Sequence, residues 1–365
     1  MKIGIMTLPL IDNYGGILQN FALQYALRSL GHEAYTFDTC YRYSLPKYYL
    51  TSCVLGILQP MGLMKELCKP LKPYKGYIRE HHCGRFVSDH IKTLRVDRLS
   101  EELIARNGIE AIIAGSDQIW RPKYNANKQC NTIYNSFLDF AENCDSVKKI
   151  AYAASFGVDK WEFTDEQTIK CRQLIQLFDT VSVRESTGIA LCRDYLGRQD
   201  VEQMPDPTLL LDRSEYIESL GLRQLDTPNR NVVVYLLDLQ PADKDLIIEH
   251  VEAEGLTPKF ISVGKMSPAE WLEAILNAEY IITDSFHCSL LSILFHKPLH
   301  VIPSESRGLS RFENLFSIMR LAGNDFTISS FRELKNKKTV NYDYPSEQLK
   351  LIRERGINFL QKSLR

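Results

Sequence analysis

Thr283, Asp284, Ser285 and His287 stand where one residue pattern gives way to another. Before them, Tyr280-Ile281-Ile282-Thr283 is apolar and β-branched and predicts a buried strand. After them, Leu290, Leu291, Leu294 and Phe295 recur at helical spacing. A strand that runs straight into a helix leaves backbone N–H groups unpaired at the helix N-terminus. Those donors and the helix dipole together favour an anion. A histidine beside them can bind that anion or move a proton near neutral pH. The same residues also allow a plainer arrangement, with Asp284 or Ser285 capping the helix and His287 packed in a corner. The stretch alone leaves both readings open.

Three other apolar strands end in polar residues. Ala111–Ala114 leads into Gly115-Ser116-Asp117-Gln118, Lys149–Ala154 into Ser155-Phe156-Gly157, and Asp179–Val183 into Arg184-Glu185-Ser186. In an open parallel sheet the C-terminal edge of the strands is where ligands bind. These strands need such a sheet to hold them, and the N-terminus supplies its first unit. Lys2–Leu8 reads as a strand, Asp12–Gly16 as a turn, Ile17–Leu30 as a helix ended by Gly31, and Glu33–Asp38 as the next strand. This β-α-β unit opens an α/β fold with a doubly wound parallel sheet. Gly15-Gly16 lets the backbone come close to whatever sits at that helix start. It is not a dinucleotide fingerprint, because the third glycine is missing and Asn20 and Gln24 follow instead. Asn20 and Gln24 share a helix face, and Gln24 reads as a solvated polar position.

Pro205-Asp206-Pro207 fixes an extended connection and reads as the crossing between two halves. Beyond it the alternation repeats, with strands at 231–237, 259–263, 279–283 and 299–302. Helices are expected near 242–254, 268–277, 285–295, 311–321 and 346–363. The expected units are an N-terminal domain 1–204, a C-terminal domain 205–342, and a last helix within 343–365 that packs back on the first domain.

Residues 41–105 interrupt this order. From Tyr41 to Arg85 there are eight Lys/Arg against two Glu, with tyrosines and prolines interleaved. The stretch reads as an insertion with a basic, aromatic surface. Solvated cover over the first domain is one reading. A docking face for a sugar, or for an anionic lipid carrier at the inner membrane surface, is the other.

Composition narrows the classes. The chain has 365 residues, 44% hydrophobic and 24% charged, which fits about two ordinary domains with a sizeable core. A net charge of −1 gives no global reason to expect nucleic acid. The N-terminus has no signal-peptide pattern, and no apolar run approaches the ~18 residues of a membrane helix. Nine scattered cysteines without a Cys-x-x-Cys pair read as reduced thiols in a cytoplasmic protein. His81-His82-Cys83 lacks a second cluster with ligand spacing, so no metal is expected.

With these pieces together, the chain resembles the polysaccharide pyruvyl transferase family. The resemblance rests on Tyr14-Gly15-Gly16 with Asn20-Phe21-Ala22-Leu23-Gln24, then Gly115 to Trp120, Ser155-Phe156-Gly157, Val183-Arg184-Glu185, Asp206-Pro207-Thr208 and Thr283 to His287. It implies two Rossmann-like domains facing a cleft, as in GT-B glycosyltransferases. It also implies transfer of pyruvate from phosphoenolpyruvate onto a sugar as a ketal, in bacterial capsule, exopolysaccharide or cell-wall polymer synthesis. No cofactor is implied. The acceptor sugar could be lipid-linked, which would place the protein at the membrane periphery through residues 41–85.

By resemblance, Arg184 and His287 fall on the donor-binding and catalytic positions, with His287 as general acid; Ser285 and Phe286 beside it, and Arg307 and Arg311 after the last strand, are further donor-side candidates. Asp117 would grip or deprotonate the acceptor hydroxyl, and Asp12, Asn13, Tyr14, Gly15, Gly16, Asn20 and Ser116 would line the acceptor side. The chain departs from the family pattern at Ser285, where some members have Arg, and at Cys288, where many have Gly. Two other functions fit the same scaffold: a glycosyl- or sialyltransferase-like enzyme using a nucleotide sugar, and a non-catalytic carbohydrate-binding protein.

Overall fold

The computed structural model describes residues 1–11, 13–39, 82–96, 98–125, 132–302, 310–319, 321 and 342–365, the side chains of 242, 310, 311, 313 and 314 excepted. Two parallel sheets carry it. The first runs through β1 (Lys2–Met6), β2 (Glu33–Asp38), β3 (Thr93–Arg95), β4 (Ala111–Ala114), β5 (Lys148–Ala154), β6 (Thr180–Val183) and β7 (Val201–Gln203). Their spatial order is β3-β2-β1-β4-β5-β6-β7. In the second sheet, β8 (Asn231–Tyr235), β9 (Thr257–Phe260), β10 (Tyr280–Thr283) and β11 (Leu299–Val301) are ordered β11-β10-β8-β9.

Each order reverses direction once, between β1 and β4 in the first sheet and between β8 and β10 in the second. Registers at these reversals pair Met6 with Ala114 and Thr283 with Tyr235. A reversal leaves neighbouring crossovers on opposite faces and opens a crevice beyond the strand ends, where an α/β sheet accepts ligands.

Three hydrophobic clusters account for the layers. The central one joins one face of each sheet, running from Ile3 and Ile5 through Phe21, Trp271 and Leu291 to Leu360. The other two cover the outer faces of the first and second sheets. Helix α1 (Tyr14–Ser29) lies in the central layer. The described helices that follow it are α2 (82–90), α3 (Glu101–Arg106), α4 (Ile133–Ser136), α5 (Asp165–Ile175), α6 (Ser186–Leu196), α7 (Arg213–Leu220), α8 (Pro241–Ala253), α9 (Pro268–Leu276), α10 (Phe286–Leu294), α11 (Ser310–Ile318) and α12 (Asp343–Ser363).

Helix α12 touches both halves. Arg353 donates to the Leu210 carbonyl, Asp212 and Glu215, whereas Phe359 meets Tyr152 and Ser363 Oγ accepts from Thr180. Among the described residues no helix is long and apolar enough to cross a membrane.

Some expectations change. Helix α1 begins at Tyr14, three residues earlier than the sequence pattern gave, so Gly15 and Gly16 lie in its first turn. Within 41–105, expected to be an insertion, residues 93–95 are instead the edge strand β3, paired with β2. The basic, tyrosine-rich stretch 41–81, with its docking face, lies outside the described residues. Gln24 is not solvated: its side chain is buried between Thr36 Oγ1 and the backbone of Lys92. Pro205-Asp206-Pro207, read as the extended crossing between two halves, follows the last strand of the first sheet. Asp206 is buried and caps a short 3-10 turn, Pro207–Leu209.

Candidate active site

A cavity of about 590 Å³ opens where the two reversals face each other. Leu8 follows β1, Asp117 and Gln118 follow β4, Leu236 and Leu237 follow β8, and Asp284 to His287 follow β10; all of them line it. Local sequence explains how these ends are held. Ser285 is the N-cap of α10, its hydroxyl accepting from the Cys288 N–H. Asp284 does not cap the helix. Its carboxylate accepts from the N–H groups of Leu237 and Asp238, tying the end of β8 to the end of β10.

Polar contacts beside the cavity converge on Asp206, which the sequence reading placed in the crossing between two halves. Oδ2 accepts from Arg184 Nη1 at 2.9 Å, His287 Nε2 at 3.2 Å and Ser116 Oγ at 3.4 Å. Oδ1 accepts from the Thr208 N–H and hydroxyl. The Asp206 side chain is only 1% exposed. Burial alone would raise its pKa, but His287, Arg184 and the Thr208 N–H outweigh burial and hold the carboxyl well below the usual carboxylate range. A permanently ionised acceptor assigns the proton of His287 Nε2 to the Asp206 side.

The other ring nitrogen, Nδ1, lies against the first turn of α1. A Cβ built on Gly15 would stand 2.2 Å from Nδ1 and 2.4 Å from Cγ of the imidazole. Glycine is therefore required at position 15 for the ring to be where it is. Gly16 makes the equivalent space for Asn13 Nδ2 and Asp117 Oδ2, at 2.9 and 3.0 Å from its virtual Cβ. Asn13 Nδ2 donates to Asp117 Oδ2 at 3.1 Å, and the Gln118 N–H donates to Asp117 Oδ1. Asp117 adopts φ +67°, a left-handed conformation that Asp tolerates better than most residues and that turns its carboxylate to the cavity rim.

Arg184 does not line this cavity. Its guanidinium is 3% exposed and is spent on Asp206, on Ser155 Oγ through Nη2 and on Glu185 through Nε, with the Phe286 ring 5.0 Å from its centre. Burial opposes its charge, yet Glu185, Asp206 and Asp117 hold it protonated, above the ordinary arginine value. The sequence reading put Arg184 on the donor side; in the structure its guanidinium braces the Asp206 carboxylate.

Of the acceptor-side candidates, Asn13 lines the cavity, and Gly15 and Gly16 pack against its lining residues His287, Asn13 and Asp117. Ser116 points to Asp206. Tyr14 and Asn20 are elsewhere. The Tyr14 hydroxyl reaches the second half, donating to the Met266 carbonyl and accepting from the Gly264 N–H, and Asn20 Oδ1 accepts from Thr36 beneath the first sheet. Ser285 and Phe286 line the cavity with His287. Asp12 and Arg307 lie outside the described residues, as does the side chain of Arg311. The sequence reading also missed Gln118 and Tyr124, both on the cavity wall and both tied to Arg121, which Glu162 holds through two parallel bonds. Among the described residues, no group of three or more His, Cys, Asp or Glu could hold a metal ion.

Comparison with known proteins is consistent with this layout. The profile of the polysaccharide pyruvyl transferase family matches residues 13–306. The structure is similar to UDP-GlcNAc 2-epimerase from Neisseria meningitidis bound to UDP-GlcNAc, at 10% identity over 100% of this chain and 99% of that one, with a TM-score of 0.50. It is also similar to UDP-GlcNAc 2-epimerase from Methanocaldococcus jannaschii, at 10% identity over 97% and 93% with a TM-score of 0.48. MurG from Acinetobacter baumannii is similar at 11% identity over 99% of each chain, with a TM-score of 0.44. The fold is thus GT-B-like, with two Rossmann-like sheets across a cleft. No curated protein matches the sequence at a significant level.

Proposed function

Because the chain belongs to the polysaccharide pyruvyl transferase family, we propose that it moves the pyruvyl group of phosphoenolpyruvate onto a pair of sugar hydroxyls as a ketal, in bacterial capsule, exopolysaccharide or cell-wall polysaccharide synthesis. One observation carries the reading: His287, on the cavity wall, is oriented through Nε2 by a buried, ionised carboxylate, and its Nδ1 side rests on Gly15.

Ketal formation needs a proton on C3 of the enol, so that C2 becomes an electrophilic oxocarbenium ion. As general acid, His287 gives the proton from Nδ1, the nitrogen that Asp206 does not hold. Asp206 stabilises the imidazolium before transfer and keeps Nε2 protonated after it. A first sugar hydroxyl adds to C2 and loses its proton, guided by Asp117 on the cavity wall. Phosphate then leaves, and the second hydroxyl closes the ring on C2. One proton is gained at C3, two are lost by the hydroxyls, and phosphate carries the balance. Anion binding falls to the N-terminus of α10, the Ser285 hydroxyl and the imidazolium.

The test is thermal unfolding with phosphoenolpyruvate and, separately, with nucleotide sugars, followed by phosphate release in a screen of sugar acceptors. A ligand at ~100 times its Kd adds about 2.7 kcal/mol, a readable shift. A shift with phosphoenolpyruvate, and acceptor-dependent phosphate release that a folded His287→Ala variant has lost, is the expected result. A shift with a nucleotide sugar and none with phosphoenolpyruvate would overturn the assignment.

A further inference from the structure

Beneath the first half of α12 lies a second cavity, of about 620 Å³, within the size range of small-molecule sites. Leu211, Ile217, Leu294 and Leu349 give it an aliphatic side, and Asp212, Ser214, Gln224, Lys350 and Arg353 lie on the rest of its wall. Into it comes Arg213, the first residue of α7, whose Nε is fully buried and has no hydrogen-bond partner. The acidic residues nearby are already taken: Asp212 and Glu215 hold Arg353, which the Leu210 carbonyl completes. His296 offers no compensating charge. Its Nε2 is bonded to Ser346, its ring stacks on Tyr342 at 4.8 Å, and burial followed by the Arg213 charge pushes its pKa down, so it stays neutral. A charged donor out of water without an acceptor is unfavourable unless something else supplies the acceptor.

We propose that this cavity binds an amphipathic anion, with a carboxylate or phosphate head on the Arg213 guanidinium and an aliphatic body against the leucine walls. A planar fork binds either head at two points, and the leucine side of the cavity suits an aliphatic chain. The site is separate from the cavity around His287. One wall is the Ser346–Leu349–Arg353 face of α12, the helix that continues to Tyr152 and Thr180, so an occupant would brace the element that touches both halves.

The test uses octyl phosphate, octanoate and inorganic phosphate on the full chain, read by thermal unfolding in the wild type and in Arg213→Met, which keeps the stem and removes the charge. The empty Arg213→Met variant should unfold at a higher temperature than the wild type, since a buried Nε–H without an acceptor is gone. Octyl phosphate or octanoate should give a saturable shift in the wild type, with an apparent Kd at least tenfold weaker in Arg213→Met. The head responsible is the one whose octyl compound acts. Inorganic phosphate should act much more weakly than octyl phosphate. The proposal is overturned if neither octyl compound shifts the wild type, if the shift is equal in the variant, if inorganic phosphate matches octyl phosphate, or if the empty variant is less stable.

Discussion

Replacing Gly15 by alanine adds one methyl group, and the structure says where it goes. The new Cβ would sit 2.2 Å from Nδ1, 2.4 Å from Cγ and 2.8 Å from Cβ of His287. These atoms are not the loose end of a flexible chain. The ring is pinned by the 3.2 Å bond to Asp206 and by its place in the first turn of α10. Two effects oppose each other. Alanine in a helix is favoured over glycine by about 1 kcal/mol, and overpacking a tight contact costs about 1–3 kcal/mol. The net is a destabilisation of up to about 2 kcal/mol. In a His287→Ala background the obstruction is gone, and the same change should stabilise by up to about 1 kcal/mol. The two substitutions should therefore couple by about 1–3 kcal/mol in a double-mutant cycle read from urea midpoints. Catalysis should suffer more than stability. A ring pushed off Asp206 loses its general-acid role, which is worth about 10²–10⁴-fold, measured as acceptor-dependent phosphate release. An alanine variant that gained stability in both backgrounds and kept its turnover would show that the imidazole does not rest on Gly15, and the proton path through Nδ1 would fall with it.

Asp206→Asn should destabilise by about 3 kcal/mol, the lower end for breaking a buried pair, because Glu185 still faces Arg184. The folded carboxyl is depressed, so its contribution is complete above the ordinary value of about 4 and fades as pH falls below it. Urea midpoints of the wild type should consequently drop more steeply between about pH 5 and 2 than those of Asp206→Asn, and parallel curves would contradict the pairing. Arg184→Lys cannot serve Asp206, Ser155 and Glu185 at once. It should lower stability and kcat while leaving the affinity for phosphoenolpyruvate nearly unchanged. A loss confined to donor affinity, seen in the thermal shift with phosphoenolpyruvate, would return Arg184 to the anion site.

The strand ends and helix starts were legible because each depends on residues within a few positions: the apolar run before Thr283, the helical spacing after Ser285, the glycine pair after Asn13. The glycines even announced a close approach, though not that His287 was what approached. Partners far along the chain were not legible. Asp206 carries two prolines, a local mark of a connector, and only the folded chain brings Arg184, Ser116 and His287 to it. Gln24 looks solvated on its own helix until Thr36 and Lys92 close over it. Tyr14 sits in a motif expected to meet a sugar, but its hydroxyl is matched by Gly264 and Met266 in the other half. Local pattern fixes which elements exist; the polar pairs between elements decide what each side chain is for.

The bonds converging on Asp206 also set an order of events during synthesis. Arg184 closes a loop of 22 residues to reach it, whereas His287 closes one of 81. By loop-closure entropy the second contact costs roughly 1 kcal/mol more, and it has no partner until α10 has left the ribosome. The carboxylate is thus neutralised by arginine first and meets the imidazole later. A nascent chain that has folded its first sheet holds a charged but inert anchor, and proton-transfer competence arrives only with the second half.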